Sequence, residues 1–335
     1  MSKRNIRILI GISLGAGFAY LSFRNARISD IIRVISEVSL YWILVVLGLT
    51  YATLVMRAVR WGILLSPVKK IGLGSLFSSL LIGYMTNNVL PLRIGEAVRA
   101  YHIGNKENIP KSTTLGSILL ERLLDLWTVM ILLLLSAAFF GLSERVNRVL
   151  MLGALLSVAM LAVVYLISKK REQLSELVRK LLTIFLPKYA EKGGRIVHAF
   201  AEGAGLVRTK RRLALLLLTS VTIWIMGSAI VYCVSTALSI HIPVWGAPVV
   251  VCLIALGITI PTAPGDIGAF QFFSMLGLSV FGIEKDRALA FSLVLHASQY
   301  VPQTLTGLVL IWRESISLAG LRRASWKEQK RSQAE

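Results

Sequence analysis

The sequence predicts an all-α polytopic membrane protein: about six full spans, two re-entrant hairpins made of broken helices, and an inverted 3+3 repeat relating the two halves. Three observations predict it. The 335 residues are 55% hydrophobic, with a mean hydropathy of +0.70, more apolar side chain than a soluble chain of this length buries. Apolar runs of about 20 residues recur, the length that crosses bilayer hydrocarbon. Two further runs are interrupted by Pro, Gly and charge at places 170 residues apart. Residues 1–335 read as a single integral membrane domain.

The first run, 6–23, follows a basic start. It has no small-residue cleavage site and leads straight into Arg24, so it reads as an uncleaved first helix. The next span is 40–62. The run 74–104 begins as a membrane helix and then meets Asn87, Asn88 and Pro91, which break it. Spans 119–142 and 148–168 follow. The linker 169–211 contains a segment with apolar residues at 174, 177, 178, 181, 182 and 185, the spacing of an amphipathic helix on the inner leaflet. After the span 212–238 comes a second interrupted run, 246–283, broken at Pro261 and Pro264. The last span is 288–312, and a basic tail, 313–335, ends the chain.

Charge placement orients this plan. The net charge is +20 with a pI of about 10.4. With both breaks as re-entrant hairpins, the side holding the two termini carries 29 of the 37 Lys and Arg. That asymmetry follows the positive-inside rule and places both termini in the cytoplasm. The basic charge therefore faces anionic lipid headgroups, and nucleic acid is excluded as a partner. Cys233 and Cys252 lie in apolar runs, so neither a disulfide framework nor a metal site is expected. No Walker, Gly-x-Ser-x-Gly or His-Glu-x-x-His motif is present, and no cofactor is expected.

The two breaks share a pattern: Pro91, Gly95 and Glu96 against Pro261, Gly265 and Asp266. A shift of 170 residues also carries 40–62 onto 210–232, giving repeat halves of about 40–142 and 210–312. Paired broken helices in inverted repeats mark transporters, with the ligand site near the membrane midplane. Unwound backbone in a bilayer survives only inside protein or against a wet cavity. A half-helix N-terminus pointing into such a cavity suits an anion, and Arg93 could clamp phosphate oxygens. Glu96 and Asp266 are expected in the first turn of each half-helix, where capping is an equal alternative. Glu121, Arg122 and Asp125 share a helix face inside a span, either as part of a pathway or as an interfacial pair. His296, Gln299, Gln303 and Thr306 form a polar stripe, open to a ligand role or to inter-helix hydrogen bonds. Arg57, Arg60 and Trp61 are expected to mark the cytoplasmic interface.

The stretches "NNVLPLRIGEAVRAY", "ERLLDL" and "PTAPGDIGAFQ", in this order and spacing, resemble the flippase-like membrane domain of the lysylphosphatidylglycerol synthase (multiple peptide resistance factor) family. The resemblance covers about residues 5–315 and is to stand-alone members without the synthase domain. It implies a prokaryotic inner-membrane protein that moves an anionic or modified phospholipid, or a polyprenyl-phosphate lipid, between leaflets. It places Arg93, Gly95, Glu96, Arg99, Glu121, Arg122, Asp125, Gly265, Gly268 and Gln271 at motif positions. In the second motif Asp266 stands for the family's second Gly and Gln271 for its Glu, so a proton role for that Glu does not carry over. The expectation is a lipid translocase rather than an enzyme, alone or as a homo-oligomer. Two alternatives stay open: an integral lipid phosphatase or transferase, and a non-catalytic partner of a glycosyltransferase or synthase.

Overall fold

The computed structural model describes residues 3–24, 26–36, 38–90, 94–140, 209–260 and 262–314, with isolated positions between 151 and 183. Among these it contains ten α-helices, one 3₁₀ turn and no strand. They are α1 (Lys3–Phe23), α2 (Ile28–Ser36), α3 (Leu40–Leu65), α4 (Leu73–Val89), α5 (Gly95–Glu107), α6 (Lys111–Phe140), α7 (Lys210–Ala237), α8 (Gly246–Gly257), α9 (Ala269–Ser279) and α10 (Lys285–Arg313). The 3₁₀ turn, Pro264–Asp266, lies between α8 and α9. The expected span 148–168, the amphipathic linker 169–211 and the tail beyond 314 fall almost wholly outside the described residues.

Helices α3 and α7 are long and apolar enough to cross a bilayer. At 1.5 Å per residue, the 26 residues of α3 rise about 39 Å, more than the ~30 Å of hydrocarbon. The outer faces are apolar: Leu40, Leu44, Ile225, Leu305 and Val309 are exposed, which suits a lipid solvent and no aqueous one. Helix α6 starts at Lys111, eight residues before the expected 119, because residues 111–118 continue the helix past the apolar run. Helix α2 was not expected. It is short and amphipathic, and it seats Ile31 against α10.

Both interrupted runs are antiparallel helical hairpins. Along the first, Asn87 meets Gly95, Gly83 meets Arg99, and Ser79 meets His102. Along the second, Gly257 meets Phe273, Val250 meets Gly277, and Gly246 meets Phe281. Gly95 is required by contact: a Cβ there would overlap the Gly83 carbonyl. Gly265 is required by conformation, with φ 69°, a region that side chains with a Cβ disfavour.

The hairpins are clamped between the long helices. Helix α3 packs on α7, α4 on α10, and α8 on α6. Trp61, Leu64, Leu80, Ile103 and Leu120 join α3 to α6 in one apolar cluster. Val231, Val250, Leu278, Phe291 and Leu295 join α7 to α10 in another. Each such buried Leu, Val or Phe contributes roughly 1.5–3 kcal/mol over its exposed state. At its C-terminal end α10 is latched to the first hairpin. Glu314 accepts from Lys106 Nζ at 2.6 Å and pairs with His102 Nε2 at 2.8 Å, and His102 Nδ1 lies 2.7 Å from Ser79 Oγ.

Candidate functional site

The first break is short. Asn87 and Asn88, expected to break the helix, instead form the last turn of α4, which runs to Val89. The break follows them. Asn87 Oδ1 accepts from the Gly95 backbone N–H at 2.7 Å, so it takes one of the unpaired donors at the start of α5. Asn88 ties the same turn to α10: its Nδ2 donates to Thr304 Oγ1 at 2.9 Å, and its carbonyl accepts from Tyr300 at 3.3 Å. Pro91 and Arg93 lie outside the described residues.

Behind this break sits a network of four guanidinium groups and three carboxylates. Arg99 on α5 binds Glu121 on α6 through both terminal nitrogens, at 2.9 and 3.3 Å. Arg60 on α3 donates to Asp125 at 2.7 Å and to Ser220 on α7 at 2.9 Å, and lies 3.3 Å from Glu121. Arg122 reaches Glu96 at 2.8 Å and Asp125 at 3.7 Å. Arg57 lies 3.5 Å from Asp125, and Trp224 Nε1 donates to Asp125 at 3.2 Å. Four helices are pinned by one charge cluster.

The burial of this network corrects one expectation. Arg60 and Trp61 are packed inside the protein, both 0% exposed, so Trp61 does not face lipid as an aromatic-belt residue would. Trp61 Nε1 donates to Ser117 at 2.9 Å, and the Arg99 guanidinium stacks 3.7 Å over its ring. A buried Arg is tolerated because each charge has opposite partners at contact distance.

The second break is longer and nearly neutral. It runs from Ile258 to Gly268, with Pro261 outside the described residues. Gly265, Asp266 and Gly268 have φ of 69°, 58° and 90°. Asp266 sits in the 3₁₀ turn, three residues before α9, and not in that helix's first turn as expected. The N-terminus of α9 is closed by Gln271, whose Oε1 accepts from Gly268 N–H at 2.8 Å. That bond fixes which end of the amide is oxygen, so Gln271 Nε2 donates to His296 Nδ1 at 3.0 Å. His296 is therefore neutral at Nδ1; it also bonds the Gly265 backbone and stacks on Phe270.

A cavity of about 540 Å³ lies between the breaks. From the first break and α6 it receives Asn87, Asn88, Glu96, Arg122 and Asp125. From the second break and α10 it receives Thr262, Pro264, Asp266, Gln299 and Gln303. Arg99 and Glu121 lie behind the charged wall and do not line it. Gly95 and Gly265 pack the breaks, and Gly268 abuts Gly15 on α1. Gln271 and His296 brace the second break from outside the cavity. Thr306, on the expected polar stripe, faces Tyr51 instead, at 2.7 Å.

Sequence reasoning missed Thr50, Tyr84 and Trp224 and read Arg57 only as an interface marker; all four line the cavity. A signal existed for two of them. Thr50, Thr53 and Arg57 recur at steps of three and four along α3, the spacing of one helix face.

A family model described as the lysylphosphatidylglycerol synthase TM region matches residues 8–307. A UPF0104 membrane protein of Methanothermobacter thermautotrophicus is 24% identical over 307 residues, covering 87% of this chain and 90% of its own length. A second from the same organism is 26% identical over 278 residues, covering 79% and 81%. One from Methanocaldococcus jannaschii is 22% identical over 297 residues, covering 84% and 87%.

Proposed function

The chain belongs to the lysylphosphatidylglycerol synthase TM-region family of membrane proteins, and from that premise we propose that it translocates the headgroup of an anionic lipid between leaflets. One observation carries the reading. Residues of both helix breaks line the same cavity, which joins a wall bearing Arg57 and Arg122 to a wall of Ile223, Ile230, Val251, Ile254 and Leu256. A phosphate meets the guanidinium groups, for which Arg offers a matching fork of donors. The start of the apolar chain meets the second wall. A volume of about 540 Å³ lies within the roughly 300–1,000 Å³ of small-ligand sites; it accommodates a headgroup and leaves the acyl chains in the bilayer.

The element plan supports alternating access by two related halves. Shifting Leu40 by 170 residues lands on Lys210, the first residue of α7. The same shift maps α4 onto α8, α5 onto α9 and α6 onto α10. Exchanging the halves turns the α4–α10 contact into the α8–α6 contact, and both exist. In this reading the hairpins re-enter the membrane, the termini face the cytoplasm, and the halves rock about the shared cavity.

Among the described residues no His, Cys or Ser lines the cavity, and none of its Thr hydroxyls is hydrogen-bonded to a base that could activate it, which favours transport over the phosphatase or transferase alternative. The test is reconstitution in liposomes with a fluorescent phosphatidylglycerol whose outer-leaflet fraction is bleached with dithionite. Wild-type protein is expected to expose the inner-leaflet fraction. Arg57→Gln and Arg122→Gln are each expected to lower that rate by about tenfold or more, as loss of a charge-assisted contact of about 1.5–3 kcal/mol implies. A wild-type rate equal to that of protein-free vesicles, across anionic phospholipids and polyprenyl phosphates, sinks the proposal.

A further inference from the structure

We propose that the cavity selects an anionic lipid whose phosphate carries a hydroxyl-bearing substituent, a polyol or a sugar, over one of equal charge without hydroxyls. The inference rests on the translocation reading above and names its substrate class.

The two polar walls of the cavity differ in what they leave unused. On the charged wall the carboxylates are committed: Glu96 to Arg122 at 2.8 Å, and Asp125 to Arg60 at 2.7 Å and Trp224 at 3.2 Å. Asp266, reaching the cavity from the second break, is not free either. An ammonium headgroup would have to displace these partners. Arg57, by contrast, has one ion pair at 3.5 Å and suits an added anion.

Among the described residues the cavity also holds neutral groups without partners: Thr50 on α3, two turns from Arg57, and Thr262, Gln299 and Gln303 from the second break and α10. Thr50 and Thr262 are 3% and 8% exposed, and among the described residues neither hydroxyl has a hydrogen-bond partner. A buried hydroxyl left unpaired is costly, so such groups mark a missing partner. Gln299 and Gln303 stand one turn apart on α10 and both line the cavity; among the described residues neither is hydrogen-bonded. An amide both donates and accepts, as a hydroxyl does, so a hydroxyl-bearing group can satisfy it in two directions. A phosphate at Arg57 with hydroxyls reaching Thr50, Thr262, Gln299 and Gln303 supplies the partners these groups lack. Phosphatidylglycerol-type lipids and glycosyl polyprenyl phosphates share this chemistry.

The experiment uses the full chain in proteoliposomes with matched lipid pairs. Phosphatidylglycerol is set against phosphatidylethanol, which has the same charge and no free hydroxyl. A polyprenyl phosphate hexose is set against the bare polyprenyl phosphate. The hydroxyl-bearing member of at least one pair is expected to move about tenfold faster or more, because a site built to bond a hydroxyl rejects the analogue lacking it. Which pair shows the ratio identifies the source. Thr262→Val, nearly isosteric, and Gln303→Leu are expected to bring that ratio toward one. Equal rates within both pairs for wild-type protein overturn the hydroxyl selectivity and leave translocation standing. A faster phosphatidylethanolamine also overturns it. No movement of any lipid overturns the translocation reading itself.

Discussion

The two helix breaks occupy equivalent places in the chain and are built by opposite means. The first spans few residues between α4 and α5, with a helical turn capped by Asn87, and its neighbours are charged: Glu96, Arg99, Glu121, Arg122 and Asp125, with Arg57 and Arg60 arriving from α3. The second is longer, turns through three positive-φ residues, and is braced by the neutral chain Gly268–Gln271–His296–Gly265. One break is held by ion pairs among its neighbours and the other by backbone conformation and neutral hydrogen bonds. The difference implies a division of labour. In the proposed translocase, a headgroup charge would be met on one side, and on the other a neutral surface would receive what the charge carries.

The largest expected effect separates these two means of support. Arg60→Ala leaves Asp125 and Glu121 short of a buried partner. Removing one member of a buried ion pair costs roughly 3–5 kcal/mol. His296→Ala removes neutral hydrogen bonds at the second break and is expected to cost about 1–3 kcal/mol. Thermal unfolding in detergent should therefore show the larger drop for Arg60→Ala. An equal or larger drop for His296→Ala would mean that the neutral break, not the charged one, carries the stability of this region.

Glycine substitutions sharpen the same contrast. Gly95→Ala places a Cβ into the Gly83 carbonyl and the Asn87 side chain, both of which belong to a packed hairpin. Overpacking of this kind costs typically about 1–3 kcal/mol. Gly265→Ala meets the Tyr300 ring at 2.5 Å and a φ of 69°. The ring is a side chain that can turn aside, and the left-handed backbone costs roughly 1–2 kcal/mol. Gly95→Ala is expected to give the lower yield of monodisperse protein on size exclusion. The reverse order would place the tighter constraint in the second break.

Much of this was legible in the sequence, and the failures have a common cause. The long apolar runs fixed α1, α3, α7 and α10 to within a few residues, because their period and length need no partner to be recognised. The Pro and Gly positions located both hairpins. Glu121, Arg122 and Asp125 stood out because charge inside an apolar run demands an explanation. Arg57, Arg60 and Trp61 stood at the end of such a run, where interfacial residues have the same composition. The burial of Arg60 depends on Asp125 and Ser220, 65 and 160 residues beyond it, and no local pattern reports contacts that distant. The neutral bracing of the second break was hidden for the same reason. Gln271 and His296 are 25 residues apart and look like unrelated polar residues until the hairpin folds against α10.

The smallest expected effect concerns the far end of α10, where the first hairpin is latched. Burial alone would raise the Glu314 carboxyl, but hydrogen bonds from Lys106 and Ser78 hold it below the usual carboxylate range. Its contribution is therefore present above the unfolded value of about 4.3 and is lost as pH falls through the lower folded value. Burial pushes the His102 imidazole down, against the pull of Glu314. The folded state then takes up this proton less readily than the unfolded chain, so acid below about pH 6.5 also works against folding. Both groups act in the same direction. Unfolding temperature in detergent should decline modestly between pH 7 and pH 4, and Glu314→Gln together with His102→Gln should flatten that decline. The buried charges Arg60, Arg99 and Glu121 are internal to the fold, whereas Lys106 and Glu314 of this latch are partly exposed and screened, which is why its expected effect comes last. A decline unchanged in the double variant would move the acid sensitivity away from the latch and onto the buried network behind the first break.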